Sequence, residues 1–396
     1  MTDAFCLAFL AWGLLITQLP ATFILLSRLV KGANRRPPLR PQTAPPALAQ
    51  TVSVVIPTLN EVNRLRPCLQ GLQDQGPEVR EILVVDSRSQ DGTRELVQTQ
   101  SQSDRRVQLL TDDPLPPDWV GRPWALDYGF RQSSPDSEWI LGIDADTQPQ
   151  PGLVASVVQA ALEEKYDLLS LSPQFILGSP GEWWLQPALL MTLLYRFDSA
   201  GVRNQDAERV MANGQCFLVR RSLLVALDGY QCAAQSFCDD VTLARYAARQ
   251  GYRVGFLDGA KVIRVRMYEG FQETWREWGR SLDLKDAASR ALLWGDVFLL
   301  TWVQALPWLA FPGLALSYLK GQDFLTLSLA LGLNGGLMLI RFALLLAIAP
   351  SYHWQKNALP QLTFWLSPLA DPLAVLRIYL SAQQQPKQWR GRIYGA

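Results

Sequence analysis

The sequence is poor in the residues from which most metal and nucleophile sites are built. It has one histidine, His353, and five cysteines, Cys6, Cys68, Cys216, Cys232 and Cys238, in 396 residues. The cysteines are scattered without metal-ligand spacing, and so few of them fit a reducing compartment rather than a disulfide framework. His353 stands in a link after an apolar run, where a solvated surface role accounts for it. General acid–base work therefore falls to carboxylates. An excess of one charge is lacking as well: the formal net charge is +1, without the basic balance of a nucleic-acid partner. Neither G-x-x-x-x-G-K-[ST] nor a strand-linked G-x-G-x-x-G occurs, so the two commonest phosphate cradles are absent.

Charge is also missing locally. From Ala4 to Val30, "AFCLAFLAWGLLITQLPATFILLSRLV" carries none before Arg28, a run longer than the ~20 residues a spanning helix needs. It exceeds the apolar region of a cleaved signal peptide and shows no small-x-small site, so residues 1–30 read as a retained transmembrane anchor. Residues 31–50 form a basic, proline-rich linker containing Lys31, Arg35, Arg36 and Arg40. Basic residues beside a span mark the cytoplasmic side, and proline favours an extended chain. Leu292–Tyr318 and Phe324–Pro350 are each long enough to cross. Leu362–Leu380, interrupted by Asp371 and two prolines, could cross, re-enter or lie in the interface. Three crossings with that segment interfacial put the basic tail, residues 383–396, on the cytoplasmic side. Residues 290–382 are thus a second membrane region of a multi-pass protein. A further apolar stretch, Gly181–Phe197, reads as a helix lying on the membrane through Trp183 and Trp184, or as a buried core helix.

Residues 51–285 carry a different pattern. "TVSVVIPTLNE", "EILVVDSRSQDGTRELVQ" and "WILGID" each begin as a buried strand and end in turn residues. Between the first two, Val62, Leu65, Leu69 and Leu72 stand near helical spacing, with Asn60 as a possible cap. Such alternation predicts an α/β domain with a mostly parallel sheet and flanking helices, whose ligands bind at the carboxyl ends of the strands. Pro57, Asn60, Glu61, Asp86, Asp144 and Asp146 all fall at those ends. Asp144 and Asp146 are two residues apart where a strand emerges, so their side chains share a side. Ionising both calls for a cation between them. Hard oxygen ligands suit Mg²⁺ or Mn²⁺, bridging Asp146, with Asp144 as a second candidate, to a diphosphate. For a general base, "CDD" before the helical "VTLARYAARQG" offers Asp239 and Asp240, one of which could instead cap that helix.

Taken in order, "VSVVIPTLNE", "EILVVDSRSQDGT", "GRPWALDYG", "GIDADT", "NGQCFLVRR" and "CDDVTLARYAARQGY" resemble the motifs of family-two inverting glycosyltransferases with a GT-A fold. The resemblance runs from about Thr51 to Leu284. It implies that Pro57, Asn60, Glu61 and Asp86 line the pocket of a UDP- or GDP-sugar, with Asp86 reading the base. It implies further that Asp144 and Asp146 serve ribose and metal, and that Asp240 is the catalytic base. "GRPWA" is similar to the G-K-x-W-A of lipid-directed members, with Arg122 keeping the positive charge of the lysine it replaces. Arg280 stands where processive polysaccharide synthases carry an intact Q-x-x-R-W; it remains a candidate diphosphate contact, but the broken motif and few spans disfavour a polymer channel. A finer likeness, in "VVDSRSQDGT", "NGQCFLVRR" and "EWGRSL", is to bacterial carotenoid and hydroxylated-polyisoprenoid glycosyltransferases. It implies a carotenoid hydroxyl as acceptor at the bilayer, with ceramide-, hopanoid- or diacylglycerol-type lipids open. A polyprenyl phosphate, already ionised, needs no such base.

The basic flank of the first span generates a topological expectation. A tag placed at Asn34 should be shielded from a membrane-impermeant label added outside intact cells; labelling from outside would contradict the orientation.

Overall fold

The computed structural model describes every residue except 1, 204, 205, 278–281, 283, 323, 356–358, 384–387, 390, 391 and 394–396. The chain opens with a long helix, α1 (Thr2–Lys31), followed by an extended segment. Then come β1 (Val52–Thr58), α2 (Val62–Gln73), β2 (Val79–Asp86), α3 (Thr93–Ser103) and β3 (Val107–Thr111). They are followed by α4 (Gly121–Gln132), β4 (Trp139–Ile143), β5 (Thr147–Pro149), α5 (Leu153–Glu164), β6 (Leu168–Ser172) and β7 (Gln174–Phe175). The long helix α6 (Pro180–Arg196) leads to β8 (Cys216–Arg220), α7 (Arg221–Ala226), α8 (Asp239–Arg249), β9 (Val254–Asp258), β10 (Ile263–Val265) and α9 (Gly270–Glu277). Four more helices follow: α10 (Arg290–Leu300), α11 (Leu306–Leu319), α12 (Leu325–Ile348) and α13 (Asp371–Gln383).

Seven strands make one sheet in the order β3-β2-β1-β4-β8-β6-β9, and only β8 runs antiparallel to its neighbours. This is the mostly parallel α/β sheet that the strand–helix alternation predicts. Its strands are apolar runs because helices cover both faces; all seven residues of β1 and all five of β4 are buried. The pairing Thr58↔Asp86 brings the ends of β1 and β2 level, and β4 leaves the sheet on the same edge. The reversed strand β8 starts there, with Cys216 opposite Ile143. The loop before β8 is thereby set beside the acids that follow β4.

The segment after α1 is extended, as its prolines require, but it lies docked on the domain. Arg36 N–H donates to Gly201 O at 2.8 Å, Leu39 N–H to Asp258 O at 2.8 Å, and Gln42 N–H to Ser156 Oγ at 3.0 Å. The chain passes so close that a Cβ at Gly201 or Gly152, both at positive φ, would strike its backbone.

Among the described residues three helical stretches are long and apolar enough to cross a membrane: Cys6–Asn34, Arg290–Leu319 and Leu325–Ser351. The second joins α10 and α11 through a π-helical turn, Thr301–Ala305, just before Pro307, whose missing N–H disturbs the ladder. The ambiguous segment Leu362–Leu380 is two pieces, a 3₁₀ helix ending at Ala370 and then α13, with Pro372 next to the break. Helix α6 is a core helix. Trp183, Leu185, Leu189 and Tyr195 are buried in a hydrophobic cluster with Leu25 of α1, Leu300 of α10, Leu345 of α12 and Ile378 of α13. The same cluster takes in Val265 of β10, so α6 joins the sheet domain to the membrane helices.

One polar network is enclosed in this joint. Arg341 of α12 donates to Asp371 at 2.7 Å and 3.1 Å, and Gln304 donates to the same carboxylate at 3.2 Å. Removing one partner leaves a buried charge uncompensated, whereas replacing both with apolar residues is nearly neutral. Asp371→Leu should therefore lower unfolding stability in nanodiscs by about 3–5 kcal/mol, and the double change Arg341→Met/Asp371→Leu should recover most of the loss. A single variant as stable as the wild type would contradict this role for the pair.

Candidate active site

The loops at the ends of β1 and β2 lock together. Asn60, at positive φ, donates from its backbone to Ser89 Oγ at 2.8 Å and accepts from Gln90 N–H at 2.9 Å. It does not cap α2; Asp91, from the neighbouring loop, accepts from Val62 N–H at 3.0 Å and also from Thr93 N–H at 3.0 Å. One carboxylate thus serves the first turns of two helices. Burial opposes its charge, but these bonds outweigh it and hold the Asp91 carboxyl below its ordinary range. Asp86 is buried at the end of β2, where it accepts from Ser89 N–H at 3.1 Å and from Arg94 at 3.2 Å. Pro57 and Glu61 are buried beside it in the sequence-predicted order. Arg94 was not singled out from the sequence, and only its place in the turn after "VVDSRSQDGT" could have flagged it.

A second group assembles around Arg122, in the first turn of α4. Its Nε and Nη2 donate to Asp144 Oδ1 at 3.0 Å and 2.8 Å, and its Nη1 pairs with Asp239. Nη2 also reaches Gly214 O at 3.1 Å. A guanidinium thus stands beside Asp144, a contact that the spacing of the acids did not announce. Burial opposes the charge of Arg122, but Asp144, Asp239 and Asp240 outweigh it and hold the group protonated. Asp239 is the first residue of α8 and is engaged by Arg122; the position before the helix is Cys238, and no side chain caps it.

Asp240 completes the group. Its Oδ2 accepts from Gly214 N–H at 2.6 Å and its Oδ1 from Val241 N–H at 2.9 Å. Burial and then the neighbouring Asp239 charge push its carboxyl up to about 6. Gly214 therefore presents its C=O to Arg122 and its N–H to Asp240, and a Cβ there would collide with Arg122. "NGQCFLVRR" stood out in the sequence, but nothing in it told that the glycine peptide itself is the connector.

Asp146 follows two residues after Asp144, at the turn into β5, and both acids are half-buried at the sheet edge. The donor atoms offered are hard oxygens. Burial pushes the nearby Cys68 thiol up to about 12, and its sulfur accepts from Thr147 Oγ1 at 3.5 Å. Among the described residues no group of three His, Cys, Asp or Glu side chains is assembled for a metal. Two carboxylates without a full shell fit an ion that keeps substrate phosphates as its remaining ligands. Arg280 lies outside the described residues.

A cavity of about 300 Å³ joins these groups to apolar side chains of the long helices. Arg122, Asp144, Asp239 and Asp240 line one part; Leu190, Leu193 and Leu194 of α6 and Ala347 and Ile348 of α12 line another.

With this geometry in hand, the comparisons with known proteins can be read. Residues 53–227 match the family described as Glycosyl transferase family 2. A 4,4'-diaponeurosporenoate glycosyltransferase of Staphylococcus haemolyticus is 25% identical over 234 residues, 59% of this chain and 61% of that one. The match thus spans less than two thirds of that relative. An undecaprenyl-phosphate mannosyltransferase of Micrococcus luteus is 28% identical over 218 residues, 51% of this chain and 80% of that one. A mannosyltransferase from Pyrobaculum calidifontis, solved with GDP-Man and Mn²⁺, superposes with a TM-score of 0.53 at 18% identity, covering 95% of this chain and 99% of that one. That likeness shows the fold, GT-A.

The position of Asp240 generates a pH expectation. A general base must be unprotonated, so kcat/KM for an acceptor should fall below about pH 6 with a single-proton slope. A profile flat through that range would contradict Asp240 as the base.

Proposed function

We propose that the protein is a membrane-bound inverting glycosyltransferase that moves a sugar from a UDP- or GDP-sugar to a hydroxyl of a hydrophobic lipid, of the hydroxylated carotenoid class. The observation that carries this reading is the cavity that Asp240 lines together with leucines of α6 and the end of the long apolar helix α12. A water-soluble acceptor gains nothing from that wall, whereas a lipid can bury its chain there and bring its polar end to the carboxylate. The first relative named above is, by its name, a 4,4'-diaponeurosporenoate glycosyltransferase, which supports an acceptor of that class.

In this reading the donor lies at the ends of β1, β2 and β4, with Pro57, Asn60, Glu61 and Asp86 around the nucleotide. Asp144 and Asp146 would hold Mg²⁺ or Mn²⁺, which supplies positive charge to the departing diphosphate. Asp240 accepts the proton of the acceptor hydroxyl as its oxygen bonds to the anomeric carbon. The bond from that carbon to the diphosphate oxygen breaks on the opposite face, and the electron pair leaves with the nucleoside diphosphate. Two backbone N–H groups fix both oxygens of Asp240, so its direction is set before the acceptor arrives. In this reading the three apolar stretches cross the bilayer, a multi-pass arrangement that leaves the catalytic domain, residues 51–285, on the cytoplasmic side; their length and apolar character support it.

A second reading has one support, the undecaprenyl-phosphate relative. An acceptor phosphate is already ionised, so it leaves Asp240 without a task, and the cavity meets it with the carboxylates Asp239 and Asp240.

Asp240→Asn keeps size and hydrogen bonding but cannot take a proton. Transfer to a hydroxylated lipid should fall by roughly 10²–10⁴ in kcat, with nucleotide-sugar affinity little changed. Purified variant in nanodiscs, assayed for glycolipid product and separately for donor binding, decides it. Unimpaired transfer would remove Asp240 from the mechanism.

A further inference from the structure

We infer that Arg122 is an exchangeable internal cation: in the donor-free protein it occupies the carboxylate that a divalent metal would share, and metal with nucleotide displaces it. This rests on the metal-dependent reading above. Arg122 takes Asp144 Oδ1 with two nitrogens, at 2.8 Å and 3.0 Å, while a third nitrogen holds Asp239. A guanidinium cannot lose its proton, so it cannot yield Asp144 by neutralising and must move. The surroundings permit movement. Arg122 lines the cavity, and its position over Gly214 depends on the missing side chain there.

Charge gives the exchange its direction. Asp144, Asp239 and Asp240 are three carboxylates around one guanidinium. A divalent ion arriving alone must compete with Arg122 for Asp144. A divalent ion arriving with a diphosphate brings its own anion, onto which the released guanidinium can turn with its planar donor fork. The consequence is ordered entry: metal alone binds weakly, and metal with nucleotide binds well. The backbone of Gly214 links the exchange to the base, since its C=O accepts from Arg122 and its N–H, in the preceding peptide, donates to Asp240.

The test reads metal binding. Mn²⁺ is titrated into the full-length protein in nanodiscs and followed by electron paramagnetic resonance, first without nucleotide and then with UDP or GDP. In Arg122→Gln the competitor is gone, and Mn²⁺ alone should bind roughly tenfold tighter than to wild type, as expected if the open state is about a tenth populated. Arg122→Lys, which keeps a cation, should stay near the wild type, and Asp144→Asn should lose the gain when combined with Arg122→Gln. If Arg122→Gln binds Mn²⁺ alone no tighter than wild type while nucleotide-supported binding persists, the exchange is overturned. If no variant binds Mn²⁺ with either nucleotide, the metal-dependent reading falls, and the exchange with it.

Discussion

A single guanidinium holds the catalytic end of the molecule together. Arg122 reaches from the first turn of α4 to the acid after β4, the first residue of α8 and the loop before β8. These elements are far apart in sequence, and the sheet brings them to one edge because β8 runs against its neighbours and so begins where β4 ends. Without a cation there, Asp144, Asp239 and Asp240 would crowd like charges in a partly buried space, at a cost that grows as the local dielectric falls. The glycine at 214 follows from the same constraint, since any side chain would push the guanidinium away.

The second dependency is the joint between the sheet domain and the long apolar helices. Helix α6 is apolar on nearly all sides because it has neighbours on nearly all sides: the membrane helices, α9 and the strand β10. Its leucines also furnish a wall of the cavity beside Asp240, so the element that anchors the domain gives the site its apolar character. The extended segment after α1, pinned by backbone bonds to Gly201 and Asp258, adds a further tie.

Much of the fold was legible because it rests on local pattern. The apolar runs ending in Thr58, Asp86 and Ile143 announced strands, and their alternation with helical periodicity announced a parallel sheet. The spans at both ends followed from length and missing charge. What resisted reading was long-range pairing. Asp239 looked like a cap because a sequence shows the helix that follows and hides the arginine that arrives from more than a hundred residues earlier. Asn60 looked like a cap of α2, a task taken by Asp91 from the adjoining loop. The tryptophans of α6 suited a membrane surface equally well, and the packing of the 3₁₀ helix ending at Ala370 and of α13 decided for the burial of Trp183, while Trp184 stays partly exposed.

The proposed transfer is one displacement assisted by one base, and the configuration of the product tests it most directly. The purified protein would be given an α-linked nucleotide-sugar and a hydroxylated carotenoid, and the anomeric coupling of the glycoside read by proton NMR. A β-linked product is the result the account predicts. An α-linked product would mean retention, and would contradict a mechanism in which Asp240 activates the acceptor for direct attack.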